Sequence, residues 1–254
     1  MYEAVMIAAT ALKNQQTRLD TIANNVANVN TVGYQHSRLD FKDALYTAGI
    51  LPALPRTPEG NQQQGHGVMV AGIAKSFAPG NFQTTERELD FALAGEGFFE
   101  LGDVEGNIVY TRNGNFHIDD IGYLVNAEGL NVHDTEGQAI WVPYVTERVD
   151  VDSEGRLNFV AGEEMTEVTL GIYTFRNITG LLSVGGANFA ESPASGEKIQ
   201  AERGIIRQGV IEGSNVSLAE EMTRLIRTQR VFQLASRALT TADEMEGIAN
   251  NLRR

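Results

Sequence analysis

The chain of 254 residues carries 20 Lys and Arg against 33 Asp and Glu, which gives a formal net charge of −13. Such an acidic chain is repelled by nucleic-acid phosphates and by anionic lipid, so neither is an expected partner. It contains no cysteine, which excludes disulfides, thiolate nucleophiles and zinc sites built on Cys.

The N-terminal segment has the spacing of a long amphipathic helix. Apolar or small residues recur three and four positions apart, with Gln15 filling one gap, and no Pro or Gly lies between Glu3 and Thr31. This heptad spacing predicts a helix from Ala4 to Val29 that stops before Gly33. The positions concerned are Val5, Ala8, Leu12, Leu19, Ile22, Val26 and Val29.

The C-terminal segment repeats the pattern and predicts a second long helix. Glu220 and Glu221 suit its first turn, where the helix dipole favours negative charge. Two amphipathic helices at opposite ends of a chain are natural partners, either as a coiled coil or as a hairpin that closes an ordinary globular domain. The heptad positions are Leu218, Met222, Leu225, Gln229, Phe232, Ala235, Leu239, Ala242, Met245, Ala249 and Leu252.

Charge divides the chain between its ends and its middle. Residues 1–30 are neutral and residues 216–254 carry one net positive charge, which leaves 26 acidic and 12 basic residues in 31–215. Nearly neutral helical ends can pack against copies of themselves, while an acidic middle faces solvent. This division favours assembly over the hairpin, with a terminal helical domain formed by residues 1–32 and 216–254.

The middle of the chain predicts a linker and a β-rich domain. Residues 33–77 include a stretch rich in Pro, Gln and Gly and are expected to form an extended linker. Pro52, Pro55 and Pro58 recur every third residue, as in polyproline II, and predict a stiff strut or a docking ligand for a Pro-binding domain.

Within residues 78–215 the apolar period changes to two, as at Leu89, Phe91 and Leu93. Acidic-Gly pairs separate the short runs and predict hairpin turns. The expected fold class is therefore α+β, with paired terminal helices and an antiparallel β domain.

No constellation of catalytic residues stands out. His36, His66, His117 and His133 are scattered without metal-ligand spacing. The run from Asp150 to Gly155 matches the first half of a calcium loop, but Ala161 stands where the bidentate Glu belongs, so an acidic hairpin is the favoured interpretation. We therefore expect no catalytic residue, no metal site and no cofactor.

Several motifs resemble those of the flagellar rod and hook proteins. The N-terminal one spans Ala23 to Tyr34, and the central ones span Leu89 to Phe99 and Tyr110 to Phe116. The C-terminal motifs are Glu212 to Val216, Glu221-Met222, Gln229-Arg230 and Thr241 to Met245. They occur in the family's order over nearly the whole chain. In its length and its single β domain the chain is most similar to the distal rod type. The proximal rod and hook types are the alternatives.

The resemblance implies a structural subunit that polymerises helically into the axial drive shaft of the flagellum. It implies terminal helices that line an axial tube, and partners that are copies of the chain, neighbouring rod and hook proteins and the flagellar type III export apparatus. A location in the basal body, outside the cytoplasmic membrane, follows. The uncharged run from Ala4 to Leu12 is too short to span a membrane and follows no basic residue, so we expect export without a cleaved signal peptide.

The predicted subunit interface lies on the two helices. The Asn residues could make polar contacts between subunits or only weaken the end of the helix, and Arg224, Arg227 and Arg230 could bridge subunits or form a solvated face. A Lys often follows the Gly-aromatic pair in the family, but Gln35 stands here, so any salt bridge of that Lys is in doubt. The predicted interface residues are Leu12, Leu19, Ile22, Asn24, Asn25, Val26, Asn28, Asn215, Met222, Leu225, Gln229, Arg230, Phe232, Leu239 and Met245.

An alternative from another functional class is a secreted β-domain protein. Such a protein would bind or hydrolyse glycans, and its helices would serve only to oligomerise it. Hydrolysis would require a pair of acidic residues in a cleft, which sequence alone does not place.

Overall fold

The computed structural model describes residues 2–43, 46–48, 63–65, 68–103, 105–143, 146, 148–152, 155–161, 164–201 and 206–252. The chain forms two compact units. We call the first, which comprises Met1–Ala27, Ser37–Ala74 and Ser217–Arg254, the helical unit. The second, which comprises Asn28–His36 and Lys75–Val216, is the β unit.

The helical unit is built on two helices, α1 (Tyr2–Ala27) and α2 (Leu218–Leu252), which pack against each other. This confirms the prediction of long, paired terminal helices. Glu220 and Glu221 occupy the first turn of α2, as expected from the helix dipole. In the described part of the chain, neither helix combines the length and apolarity needed to cross a membrane.

The predicted extended linker contains strands where it is described. These are β1 (Ser37–Asp43), β2 (Tyr46–Ala48), β3 (Gln63–Gly65) and β4 (Val68–Lys75). β1 pairs with β4, and β2 pairs with β3 in antiparallel register, with Tyr46 opposite Gly65. An isolated extended chain leaves its N–H and C=O groups without partners, and strand pairing satisfies them. The predicted strut at Pro52, Pro55 and Pro58 lies outside the described residues.

The β unit contains sixteen described strands and a single turn of 3-10 helix at Ile178–Gly180. The strands are β5 (Phe82–Thr84), β6 (Phe91–Leu93), β7 (Phe98–Gly102), β8 (Ile108–Thr111), β9 (Phe116–Ile118), β10 (Leu124–Asn126), β11 (Asn131–Val132), β12 (Arg148–Val151), β13 (Arg156–Ala161), β14 (Glu164–Thr169), β15 (Ile172–Phe175), β16 (Leu182–Gly185), β17 (Asn188–Ala190), β18 (Lys198–Gln200), β19 (Ile206–Gln208) and β20 (Val210–Glu212).

Antiparallel pairing organises these strands into sheets. The largest sheet has the order β16-β17-β8-β7-β11-β10-β9, with β15 also on β7 and β18 on β15. β12, β13 and β14 form a meander, while β6 pairs with β19 and β5 with β20. Two of the acidic-Gly pairs that predict turns are Glu105-Gly106 and Glu128-Gly129. Gly106 and Gly129 have φ of 85° and 81°, a region that favours glycine. The α+β fold class is confirmed.

Two apolar clusters form the core of the β unit. The first gathers alternate residues of many strands, including Phe91, Phe99 and Phe116, whose rings pack edge to face or tilted. The second contains Phe98 and Phe189. Their burial fixes the strand register, because a shift by one residue would turn these rings to the other face of the sheet.

Candidate functional site

One side of α2 packs within the subunit. Seven of its residues, spaced four and three apart in strict alternation, are buried or half-buried, and we call them the inner stripe. Because α1 is the element that packs on α2, this stripe forms the seam of the helix pair. The inner stripe comprises Glu221, Leu225, Thr228, Phe232, Ala235, Leu239 and Ala242.

The opposite side of α2 carries a second series, which we call the outer stripe. Its residues are all exposed: Ile226, Arg230, Leu234, Arg237, Thr241, Met245 and Ile248. The four apolar members have exposed fractions of 51%, 64%, 52% and 60% in that order. Successive members are three or four residues apart, so the outer stripe has the form of a helix seam that none of the described residues covers.

A buried polar cluster fastens the end of α1 to the start of α2. Asn25 and Glu221 are each 1% exposed. The Asn25 amide accepts a hydrogen bond from the backbone N–H of Ser37 and donates one to the Ser37 carbonyl, both at 2.9 Å. Its Nδ2 also lies 3.3 Å from Glu221 Oε2, while Arg224 donates to Glu221 Oε1 at 2.7 Å. Buried polar groups of this kind fix the register of a helix pair, since any shift would strand them without partners.

A second cluster lies in the β unit and centres on Asn215. Its Oδ1 accepts from the His36 backbone N–H at 2.7 Å, and its Nδ2 lies 2.8 Å from Gln35 Oε1. The same Nδ2 reaches the carbonyl oxygens of Ser76 and Ala78 at 2.7 and 2.8 Å. Asn215 therefore joins three segments that are far apart in sequence.

Gln35 stands where the family often has a Lys, and the cation that contacts this segment is Lys75. The Lys75 ammonium lies 4.5 Å from the centre of the Tyr34 ring and donates to the Gln35 carbonyl oxygen at 3.2 Å. A cation over an aromatic face is electrostatically attracted to it. Burial lowers the pKa of Lys75. Position 35 thus holds a neutral amide, while a cation from another segment stacks on the neighbouring ring.

Arg112 and Glu212 form a buried ion pair that the sequence did not reveal. Arg112 Nη1 lies 3.3 Å from Glu212 Oε1, and its Nε donates to the Gly97 carbonyl at 3.1 Å. Glu212 also accepts from the backbone N–H of Gly80 at 3.0 Å. Arg112 lies in the motif from Tyr110 to Phe116 and Glu212 begins the motif from Glu212 to Val216, but nothing in their spacing indicated that they pair.

Glu100 lies at the centre of a further buried cluster. Its carboxylate receives Lys198 Nζ at 2.6 Å and lies 3.3 Å from His133 Nδ1. Burial by itself would raise the pKa of Glu100, but hydrogen bonds from His133 and Lys198, with the charges on both, outweigh it and leave the pKa lowered. Burial, together with the Glu100 charge, raises the pKa of Tyr110. The arrangement is that of a structural ion cluster inside a sheet.

The predicted interface residues occupy three kinds of environment. Ile22 and Asn25 are buried inside the subunit. Half-buried are Leu12, Leu19, Val26, Asn28, Asn215, Leu225, Phe232 and Leu239. Exposed are Asn24, Met222, Gln229, Arg230 and Met245. Their role in contacts between subunits stays a prediction.

The segment that resembles half a calcium loop is a hairpin between β12 and β13. The Asp152 carboxylate pairs with Arg156 at 3.0 Å and that of Asp150 with Arg148 at 2.8 Å. These carboxylates are therefore engaged by arginines of the same hairpin. Over the described positions, no group of three or more His, Cys, Asp or Glu side chains is arranged to hold a metal ion.

The sequence motifs lie in regions that match models of known protein families. Three family models match: the flagella basal body rod protein model over residues 6–35, the flagellar hook protein FlgE/F/G D1 domain over 92–159, and the flagellar basal body rod FlgEFG protein C-terminal model over 207–252. They cover most of α1 with Asn25, part of the β unit, and α2 with its inner and outer stripes.

Curated relatives match along the full length. The flagellar basal-body rod protein FlgG of Borreliella burgdorferi is 36% identical, and that of Bacillus subtilis 35%, with 100% of both chains covered in each case. The flagellar hook-basal body complex protein FlhP of Bacillus subtilis is 30% identical, again over 100% of both chains. The chain therefore belongs to the flagellar basal-body rod protein family and is a structural subunit of the distal rod.

Proposed function

We propose that copies of this chain polymerise helically through their terminal helices into the axial shaft of the flagellum. The shaft transmits torque and passes exported subunits through its centre. The outer stripe of α2 is the observation that carries this proposal. Its members recur four, four and three residues apart along one side of the helix, and its apolar side chains stay exposed within the described part of the subunit.

The physical driving force is burial of this stripe. Full burial of one large aliphatic side chain contributes roughly 1.5–3 kcal/mol. Ile226, Leu234, Met245 and Ile248 together therefore offer enough to offset part of the entropy lost when copies associate. The inner stripe contributes indirectly, because it holds α2 against α1 and so presents the outer stripe as a continuous rigid surface.

The predicted interface residues divide accordingly. The exposed members, among them Met222, Gln229 and Arg230, are proposed to contact other copies directly. The buried members, Ile22 and Asn25, are proposed to act through the helix pair that they stabilise. Neighbouring rod and hook proteins belong to the same assembly, and the flagellar type III apparatus is the proposed route of export, without a cleaved signal peptide.

We further propose that the subunit has no catalytic role. Two buried carboxylates of the β unit, Glu100 and Glu212, each form an ion pair with a cationic side chain and lie inside the sheet structure. A glycan hydrolase would instead need a pair of carboxylates facing a cleft. Incubation of the protein with peptidoglycan tests this directly, and reproducible release of soluble fragments would contradict it.

Electron microscopy of the concentrated protein tests polymerisation. The parent chain should form tubes or filaments, and Leu234→Asp in the outer stripe should prevent them, since it places a charge in a surface that the proposed assembly buries. The monomer of that variant should keep its helices. Thr240→Asp adds the same charge at an exposed position of α2 outside the outer stripe and serves as the matched control.

Leu225→Asp separates the two stripes. It lies in the inner stripe, so it should loosen α1 from α2 in the monomer, lower the helix signal in circular dichroism and also abolish filaments. The fluorescence of Trp141, the single tryptophan of the chain, should still report a folded β unit. Filaments of normal appearance from both Leu225→Asp and Leu234→Asp would show that neither seam is an assembly surface.

A further inference from the structure

Every methionine that the structure describes is exposed. Methionine is ordinarily one of the residue types most often buried in a folded protein. Here the exposed fractions run from 43% at Met222 to 67% at Met165. Because the chain has no cysteine, methionine thioethers are its only sulfur groups and the ones that a peroxide oxidises. The described methionines are Met6, Met69, Met165, Met222 and Met245.

Two of these methionines lie on the side of α2 that the proposed assembly buries. Met245 is a member of the outer stripe. Met222 precedes Ile226, the first member of the outer stripe, by four residues, and residues four apart are neighbours on one side of a helix. Both side chains are therefore open to solvent in the free subunit and become covered only when another copy packs on this side of α2.

We infer that Met222 and Met245 are oxidation sites through which a peroxide prevents the free subunit from assembling. The inference rests on the proposed polymerisation through α2. The oxidant is hydrogen peroxide, and the product is methionine sulfoxide. The thioether sulfur gives up two electrons, the O–O bond of the peroxide breaks, one oxygen binds Sδ, and the other leaves as water with both protons.

Oxidation at Met245 introduces a polar group where the outer stripe supplies no hydrogen-bond donor. A sulfoxide oxygen is an acceptor, and burial of an acceptor without a donor costs free energy. On the same side of α2, Thr241 lies four residues before Met245, but its hydroxyl already donates to the Arg237 carbonyl oxygen at 2.9 Å. Ile248, three residues after Met245, has no polar side-chain atom. A buried sulfoxide at this position is thus left without a partner from its own helix.

The surroundings of Met222 lead to the same result. Leu218 and Ile226 lie one turn before and one turn after it, and neither side chain has a donor. An assembled subunit, in contrast, shields both methionines from peroxide. The two residues therefore make the free subunit sensitive to oxidant and the finished assembly resistant. The block is reversible, because methionine sulfoxide is reduced back to the thioether by two reductases, one for each epimer.

Peroxide treatment of the dilute subunit tests the inference. After removal of the peroxide, mass spectrometry of peptides measures oxidation at each methionine, and electron microscopy gives the protein concentration needed for filaments. This concentration should rise about tenfold or more, since the burial of one large apolar side chain is worth at least that factor in association. Treatment with both reductases should reverse the rise. In preformed filaments exposed to the same peroxide, Met222 and Met245 should stay unoxidised.

Leucine variants identify the methionines responsible. The double variant with Met222→Leu and Met245→Leu should need nearly the same concentration for filaments with and without peroxide treatment, because it has no sulfur on this side of α2. The matched control carries Met6→Leu, Met69→Leu and Met165→Leu, which lie on α1, β4 and β14. It should be as sensitive to peroxide as the parent. Circular dichroism should show that peroxide leaves the helices of both variants folded.

The outcomes separate this inference from the proposed function. If the untreated parent forms no filaments, the proposed function fails and the inference falls with it. Polymerisation stands and the inference is wrong in two cases. In the first, the oxidised parent assembles at the concentration of the untreated parent. In the second, the variant with Met222→Leu and Met245→Leu is as sensitive to peroxide as the parent.

Discussion

Arg112 Nη1 lies 3.3 Å from Glu212 Oε1, and both side chains are almost completely buried in the β unit. Glu212 is the last residue of β20, the strand that precedes α2. Its backbone carbonyl accepts a hydrogen bond from the N–H of Gly33 at 2.8 Å. The pair therefore helps to fasten the segment that follows α1 and the strand that precedes α2 within the β unit. Because the guanidinium also donates to Gly97, the ion pair has the additional hydrogen bonds that a buried charge requires.

Replacing Arg112 by Met should destabilise the β unit by about 3–5 kcal/mol, because it leaves the buried Glu212 carboxylate without its cation. Urea unfolding followed by Trp141 fluorescence measures this loss. Arg148→Met removes the partner of an exposed ion pair in the same unit and should change stability by less than about 0.5 kcal/mol. Equal effects of the two substitutions would show that the buried pair has no special role.

Replacing Asn25 by Leu should loosen the helical unit. The change removes both hydrogen bonds to the Ser37 backbone and the one to Glu221, and each buried polar group left without a partner costs about 1–3 kcal/mol. Thermal unfolding followed by circular dichroism in the helix band should begin at lower temperature, while Trp141 fluorescence stays unchanged. Ala23→Leu, at an exposed position of the same helix, is the control. A variant as stable as the parent would mean that packing alone sets the helix register.

Acid should weaken the β unit through Glu100. Its pKa in the folded state is lowered from an ordinary value of 4.5, so its contribution to stability is present above that value and is lost as the pH falls through the lowered pKa. The urea concentration at the midpoint of unfolding, followed by Trp141 fluorescence, should therefore decrease as the pH is lowered below about 5. Glu100→Gln should be less stable than the parent at pH 7 and should show a shallower fall below pH 5. Glu96→Gln, at an exposed carboxylate, should keep the parent's slope.

The predicted strut at Pro52, Pro55 and Pro58 should set the stiffness of the rod rather than its assembly. Replacing all three by Gly raises the flexibility of the segment without changing α1 or α2. Filaments should still form but appear curved or more easily bent in electron micrographs. Filaments as straight as those of the parent, or none at all, would contradict the strut hypothesis.

Local patterns determined much of the architecture. The alternation of three and four residues between apolar positions placed α1 and α2 to within a few residues, because a helix of this length needs one continuous apolar side. The acidic-Gly turns were recognisable since glycine tolerates positive φ, which Gly106 and Gly129 adopt. Sequence motifs identified the family, which the full-length relatives confirm.

The face of α2 that meets α1 was decided only by the tertiary structure. α2 carries apolar residues on two sides, and the predicted seam mixed them: Leu225 and Phe232 belong to the inner stripe, whereas Met222 and Gln229 are exposed. The inner stripe alternates spacings of four and three residues and the outer stripe follows four, four and three, and both spacings keep side chains on one side of a helix, so neither shows which stripe meets α1. The choice depends on which side chains complement α1, and that is a property of two surfaces rather than of one sequence.

The sequence also did not predict which buried polar residues pair with each other. Asn25 and Glu221 are 196 residues apart, and Arg112 and Glu212 are 100 residues apart. Each residue taken alone is typical of a helix-end amide or a surface charge. Only the folded chain brings the partners together and removes water from around them, and the resulting desolvation is what makes these contacts strong and a missing partner costly.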